Sequence, residues 1–417
     1  MKKPEFRVEI FHGPSGLDAL AADWRTLFDA LERPSYVQLW EWHRCFVEAL
    51  ATDPAAMCFG AFYEGAALVA ILPLMFVAAH LQGVFVHLAS LPAHEHVRHG
   101  DILVHPRVQR DFDLAWALAA MRKRVRRPWD VTRLGSTPED SIASACVRAL
   151  WPGGLAATEV DSGTDALALS GAEPFVDTLS KNFRGALRKA RNKLARLPDV
   201  SLTWARDPEA LAAAFPRFLA VEASGWKGSA GSSSAIQLDP ALRAFYGGLA
   251  SRLGPAGRCR INLLMHGDRI MAGQFGIVAG ERYYLLKIGY DESYKQEAPG
   301  NMLLERLLQE VTAEPEIRYL DLVSDAAWHQ SWKPVKRQVF VHYVFHHSPR
   351  GAMAWAAVRG KQILRPAVHR LRARAQELVA RIRAVRAGRA GDAGDARHGA
   401  AAADTSPEPP ESSDAGS

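Results

Sequence analysis

Lys287-Ile288-Gly289-Tyr290-Asp291-Glu292-Ser293-Tyr294-Lys295-Gln296-Glu297-Ala298-Pro299-Gly300-Asn301-Met302 joins a strand to a helix. The apolar and aromatic run from Tyr283 to Gly289 has the composition of a strand, and Gly300 to Thr312 carries a helical pattern. A loop that delivers a glycine to a helix start exposes free backbone N–H groups at the positive end of a helix dipole, which suits a diphosphate. An ordinary strand-to-helix turn has the same residues, so this segment alone leaves both readings open.

The order of signals around it occurs twice. Arg260 to Met265, a Gly267-Asp268 turn, Ile270 to Val278, a Gly280-Glu281 turn and Tyr283 to Gly289 form a three-strand meander. A helix over Gly300 to Thr312 and a strand over Arg318 to Val323 follow. In the first half, Met57 to Phe62, a Glu64-Gly65 turn, Leu68 to Phe76, a turn at Gln82-Gly83 and Val84 to Leu91 make the matching meander. A helix over Val108 to Val125 and a strand from Trp129 to Leu134 follow it. Two copies at so long a period mean a duplicated domain, with halves at residues 1–170 and 171–350. Helix, helix, meander, helix, strand is an α/β (α+β) order, a mixed central sheet flanked by helices.

Helix starts are legible from their caps. Asp207-Pro208 and Asp239-Pro240 each place an N-cap before a proline at the first helical position, and Gly254 stops the second of these helices. Ser180 caps a basic helix, Lys181 to Leu197, whose stripe is Phe183, Leu187, Ala190, Leu194 and Leu197. Its charges are expected in solvent or toward anionic groups of a ligand, since no nucleic-acid motif accompanies them. A second basic amphipathic helix, Trp355 to Arg386, occupies the segment 351–387. The tail 388–417 has almost no large apolar residues and is expected to be disordered.

With 417 residues, 48% hydrophobic and 23% charged, the chain is long enough for two globular units. The longest apolar run, Ala66 to Ala79, is too short to cross a bilayer and contains Pro73. Pro4-Glu5-Phe6-Arg7 interrupts any secretory h-region, so a cytoplasmic location is expected. Cys45, Cys58, Cys146 and Cys259 have no paired spacing, which argues for reduced, buried thiols. His94-Glu95-His96-Val97-Arg98-His99 has imidazoles and a carboxylate but no second ligand group, so no metal is expected there. A polar loop lining a cleft between the halves is the preferred reading.

Several motifs carry a family resemblance. They are Ser180-Lys181-Asn182-Phe183-Arg184-Gly185-Ala186-Leu187-Arg188-Lys189, Glu222-Ala223-Ser224-Gly225-Trp226-Lys227-Gly228, Lys287-Ile288-Gly289-Tyr290-Asp291 with Tyr294 and Pro299-Gly300, and Tyr319-Leu320-Asp321-Leu322 with Asp325, Trp332 and Lys333. In this order the region from Leu179 to about Phe345 resembles the GNAT-superfamily acetyltransferases associated with bacterial cellulose biosynthesis, relatives of the Fem-type transferases. Leu39-Trp40-Glu41-Trp42 and His99-Gly100-Asp101 carry a looser match in the first half. Where the family has a glycine-aspartate pair before a lysine in its last motif, this chain has Val323-Ser324-Asp325-Ala326-Ala327-Trp328-His329.

The resemblance implies tandem GNAT-like folds in which strand Arg282 to Gly289 splays from strand Arg318 to Val323, with a pantetheine arm in the gap. Acetyl-CoA, or a longer acyl-CoA, is the implied co-substrate, held by Lys287, Ile288, Gly289, Tyr294, Pro299, Gly300, Asn301 and Met302. Acyl transfer to an amine needs a base, an oxyanion donor and an acid for the leaving thiolate. Glu222, Asp325 and Asp321 are the candidate bases, and Tyr290 or Tyr294 the candidate acid. Trp226 and Trp332, each beside a lysine, Lys227 and Lys333, are candidates to hold a phosphate or sugar ring, with core packing as the competing account.

The expected activity is N-acylation of an amine, on a sugar or envelope-polysaccharide precursor. Two alternatives stay open: Fem-like transfer of an aminoacyl group, although no sustained heptads lie between Leu197 and Lys287, and a non-catalytic scaffold. In the second, the C-terminal helix would attach to an anionic membrane surface or a synthase complex.

Overall fold

The computed structural model of the chain describes residues 6–150, 155–169, 175–225, 228, 233–364 and 377. Met1–Trp355 form one compact unit and Ala356–Ser417 a second, of which little is described. The basic helix expected as far as Arg386 is seen as a helix over 349–364 and again at residue 377; its other residues and the tail lie outside the described residues.

The first half runs β1 (Arg7–His12), α1 (Gly13–Ala19), α2 (Ala21–Asp29), α3 (Trp40–Ala49), β2 (Cys58–Glu64), β3 (Ala67–Leu81), β4 (Val84–Ser90), β5 (Leu103–Val104), α4 (Pro106–Gln109), α5 (Leu114–Arg124), β6 (Val131–Pro138), α6 (Ile142–Ala149) and β7 (Ala156–Ala168). The second runs α7 (Lys181–Leu194), β8 (Val200–Ala205), α8 (Pro208–Ser224), α9 (Pro240–Leu253), β9 (Cys259–His266), β10 (Arg269–Ala279), β11 (Arg282–Tyr290), α10 (Pro299–Thr312), β12 (Tyr319–Asp321) and β13 (Val335–Phe345). The caps expected at Ser180, Asp207 and Asp239 each accept a backbone N–H. The single helix expected over Val108 to Val125 is two: Asp113 accepts from the N–H of Trp116 and starts α5 afresh.

Among the described residues, thirteen strands form one mixed sheet in the order β1-β2-β3-β4-β6-β13-β7-β12-β11-β10-β9-β8, with β5 on β3. The order is nearly a palindrome. Four antiparallel strands lead to a parallel pair in each half, β4 with β6 and β11 with β12. The two central strands are exchanged: β7 ends the first half in the chain but pairs with β12, and β13 follows β12 but pairs with β6. They also pair with each other along most of their lengths, which makes the sheet continuous across both halves.

The packing is shared too. One apolar cluster draws Trp24, Trp42, Phe46 and Phe59 from the first half together with Phe218, Phe245, Tyr246 and Phe275 from the second. Trp42 stacks on Phe46 and meets Phe245 edge-on at 6.0 Å. All four cysteines are free and buried, and burial pushes each thiol up to about 12. No helix among the described residues is long and apolar enough to cross a membrane.

Candidate active site

β11 and β12 part early. Their parallel ladder consists of Arg282↔Tyr319, Tyr283↔Leu320 and Tyr284↔Asp321, yet β11 runs on to Tyr290. Two local features produce the gap. On the β10 side, Gly276 pairs with Leu285 and Phe275 with Lys287, so Leu286 is an extra residue, a bulge that bends the strand as it leaves β12. On the other side, Asp321 Oδ1 accepts the N–H of Val323 at 2.9 Å and Val323 takes φ 58, which turns the chain away after three strand residues. This is the splay that the resemblance implied.

A groove of about 560 Å³ fills the gap. Leu285, Ile288, Gly289 and Tyr290 form one wall, Ala326 and Trp328 the other, and Pro299, Gly300 and Asn301 close the end. At that end the N-cap is Ala298 in a left-handed conformation, φ 49, with no side chain capping the helix, and Lys295 stands nearby. A helix start without a side-chain cap, beside a cation, is a seat for an anion. A Cβ at Gly300 would have Tyr290 Cδ1 as its nearest neighbour, at 3.9 Å, so the glycine leaves the lip open rather than relieving a clash. These features fit an extended amide-bearing arm along the strand edge with a diphosphate at the helix.

Gly289 has a different reason to be glycine. A Cβ there would lie 2.5 Å from Glu222 Cα, because α8 crosses β11 at that point. The close crossing sets Glu222, which is buried, at the inner end of the groove, where its Oε2 accepts the N–H of Ile236 at 2.9 Å.

A second cavity of about 330 Å³ adjoins the first, and Glu222, Leu285, Ile288 and Trp328 line both. Its remaining wall comes partly from the first half: Glu95, His96 and Arg98 face Lys287, Ser324 and His329. The His94–His99 run therefore lines the cleft, as expected, and Lys287 Nζ donates to His96 Nδ1 at 3.0 Å. Among the described residues no group of three or more His, Cys, Asp or Glu is placed to hold a metal ion.

Of the expected site residues, Glu222, Lys287, Ile288, Gly289, Tyr290, Pro299, Gly300 and Asn301 come together here. The other described ones, Asp321, Asp325, Tyr294, Met302, Trp332 and Lys333, do not line either cavity. Asp321, a candidate base, is fully buried in an ion cluster: it pairs with Arg337 and lies 3.5 Å from Arg282, and both arginines also bond Asp140. It borders a separate cavity of only about 30 Å³. Asp325, another, turns outward to accept the N–H of Gly163 at 3.1 Å. The Tyr294 hydroxyl is taken by His266 Nδ1 at 2.9 Å, and Met302 faces the core.

Trp332 is a core residue and not an exposed platform, because the loop before β13 tucks its ring edge-on against Phe183 of α7. Lys333 follows at φ 50, and its Nζ donates to the Thr178 carbonyl. Trp226 and Lys227 lie outside the described residues. Trp328, Ser324 and His329 were missed as individual residues. The departure from the family pattern at Val323 to His329 was the only signal, and it does not say which way these side chains face.

Residues 181–333 match the family model of the acetyltransferase (GNAT) domain. No curated protein matches the chain. Among solved structures, FemX superposes with a TM-score of 0.52 at 11% identity, over 81% of this chain and 97% of that one. The C-terminal domain of a putative lysylphosphatidylglycerol synthetase from Agrobacterium fabrum gives 0.49 at 10% identity, over 84% and 97%. A tandem GNAT protein from the clavulanic acid biosynthesis pathway gives 0.40 at 14%, over 81% and 98%.

Proposed function

We propose that the protein transfers an acyl group from acyl-CoA to an amine, with the thioester in the groove between β11 and β12 and the amine in the adjoining cavity. The observation that carries this reading is the parting of the two strands beyond Tyr284, with a groove leading to the uncapped start of α10. An open strand edge bonds amides of an extended ligand as it would a further strand, and the helix start bonds its diphosphate. The match of residues 181–333 to the acetyltransferase (GNAT) domain supports the same chemistry.

When bound, the thioester supplies an activated acyl carbon. The protein's part is to aim it: Gly289 lets α8 approach, Tyr290 stands by the groove as proton donor to the leaving sulfur, and Trp328 borders both chambers. An exposed tryptophan over a polar chamber suits a sugar ring, which favours an amino sugar or an envelope-polysaccharide precursor as acceptor. Calorimetry with acetyl-CoA and with longer acyl-CoAs tests the reading, and absence of binding to all of them refutes it. Parallel assays with an aminoacyl-tRNA donor separate it from Fem-like aminoacyl transfer.

A further inference from the structure

Asp165 on β7 and His329 after β12 are far apart in the chain and meet beside the acceptor cavity. His329 Nδ1 lies 3.0 Å from Asp165 Oδ2, and Gln330 Nε2 reaches the same oxygen at 3.4 Å. Asp165 is fully buried, and its Oδ1 has no hydrogen-bond partner. Backbone bonds pin the carboxylate in place: Asp165 donates to the Ser324 carbonyl, and Leu322 donates to the Asp165 carbonyl. An ionised carboxylate accepts only, so in this pair it fixes the ring proton on Nδ1 and leaves the lone pair on Nε2. The ring itself borders the chamber that Glu95, His96, Arg98, Glu222 and Lys287 line.

We infer that His329, oriented by Asp165, is the base that takes the proton from the acceptor amine. The inference rests on the acyltransferase reading above and adds to it a residue and a role. As the amine nitrogen bonds to the thioester carbonyl carbon and the carbon–sulfur bond breaks, the amine proton moves to Nε2. Tyr290 gives its hydroxyl proton to the departing sulfur to form CoA thiol, and the proton held on Nε2 returns through solvent to Tyr290, so both side chains end as they began. Asp165 does not touch the acceptor and acts as a positioning residue.

Burial lowers the His329 pKa, and Asp165, the Ser324 carbonyl and Asp325 offset this only in part. The ring is neutral near pH 7, the form a base requires. Of the sequence's other candidates, Asp321 and Asp325 are turned away, and Glu222 has one oxygen held by Ile236.

The test begins with unmodified protein treated with diethyl pyrocarbonate, with and without acetyl-CoA, the modified histidines being located by mass spectrometry. His329 is expected to react near neutral pH, progressively less on acidification below its ordinary range, and to be shielded by acetyl-CoA. An inert His329 in protein whose exposed His80 reacts overturns the inference, whatever the acceptor.

Turnover of acetyl-CoA with glucosamine as the amine probe is then compared for wild type, His329→Gln and Asp165→Asn. A base of this kind contributes about 100-fold or more. Both variants are expected to lose kcat on that scale with KM for acetyl-CoA unchanged, and the acid limb of the wild-type profile is expected to move in Asp165→Asn and vanish in His329→Gln. A His329→Gln enzyme that keeps kcat and its acid limb overturns the inference and leaves the acyltransferase reading intact. Wild type that neither binds nor consumes acetyl-CoA overturns both. If His329→Gln does not fold, the wild-type footprint and the Asp165→Asn profile decide.

Discussion

The two halves share a strand order and differ at the one place where it matters. In the second, β11 leaves β12 after Tyr284↔Asp321 and a groove opens; in the first, the equivalent pair Ser90↔Arg133 is the last residue of β4, and Leu91 adds a further bond to the Arg133 carbonyl. β4 meets β3 in unbroken register, without a counterpart to the Leu286 bulge. The loop after β4 then lies down on β6: Gly100 donates to the Ser136 carbonyl, and a Cβ at Gly100 would sit 2.7 Å from the Gly135 carbonyl. The first half thus fills with its own chain the space that the second leaves open as a groove. What that loop has left over, Glu95, His96 and Arg98, it contributes to the wall of the second half's smaller cavity, of about 330 Å³. A duplicated fold can in this way divide the work between a half that binds and a half that completes the wall.

Removing the bulge should erase the difference. Deletion of Leu286 restores regular pairing with β10, so β11 is expected to follow β12 further. Calorimetry should then show acyl-CoA affinity falling by about 100-fold or more with a smaller change in melting temperature; retained affinity would mean the bulge does not make the groove.

Next in size is the cluster that closes the start of the same gap. Asp321→Asn leaves Arg282 and Arg337 short of a buried partner and is expected to cost about 3–5 kcal/mol in denaturant unfolding. If the variant stayed fully stable while kcat alone collapsed, Asp321 would return as a catalytic candidate.

Gly300→Ala sharpens the comparison at the helix start. With nothing nearer than 3.9 Å, the free protein should tolerate it and gain up to about 1 kcal/mol from helix propensity. Affinity for CoA should drop, about 10-fold by our estimate, if the diphosphate packs on that turn. Equal affinity in the two proteins would move the diphosphate elsewhere.

The smallest effect concerns buried histidines of the closed half and of the end of β13, which pairs with β6 of that half. Burial lowers the pKa of His43 and His346 to about 3 and of His99 and His342 to about 4. Such groups are neutral in the native state and take up a proton once unfolded, so stability is full above the ordinary imidazole range and declines as pH falls below about 6.5. Neither ring nitrogen of His43 has a partner in the structure. His43→Phe should therefore keep its melting temperature at pH 7 within a few degrees and lose less of it on acidification, which thermal scans across that range would read.

Much of this was legible from local sequence. The meander turns, the aspartate-proline helix starts and the Pro299-Gly300 helix were all readable, because turns and caps depend on neighbours a few residues apart. The groove residues between Ile288 and Asn301 were legible for the same reason, since one continuous strand end and loop carry them. Asp321 and Trp332 misled because a carboxylate or an indole looks the same in a sequence whether it faces a ligand, an arginine pair or a phenylalanine.

The sequence by itself determined the two meanders with the helix and strand that follow each, and the position of the helix that begins at the groove. Only the tertiary structure decided that β7 and β13 change places, that a first-half loop walls the second half's chamber, and that Asp165 reaches His329. Periodicity and capping act over one or two turns of chain. The facing of side chains across the sheet is instead set by register and close packing between segments more than a hundred residues apart, which no local pattern encodes.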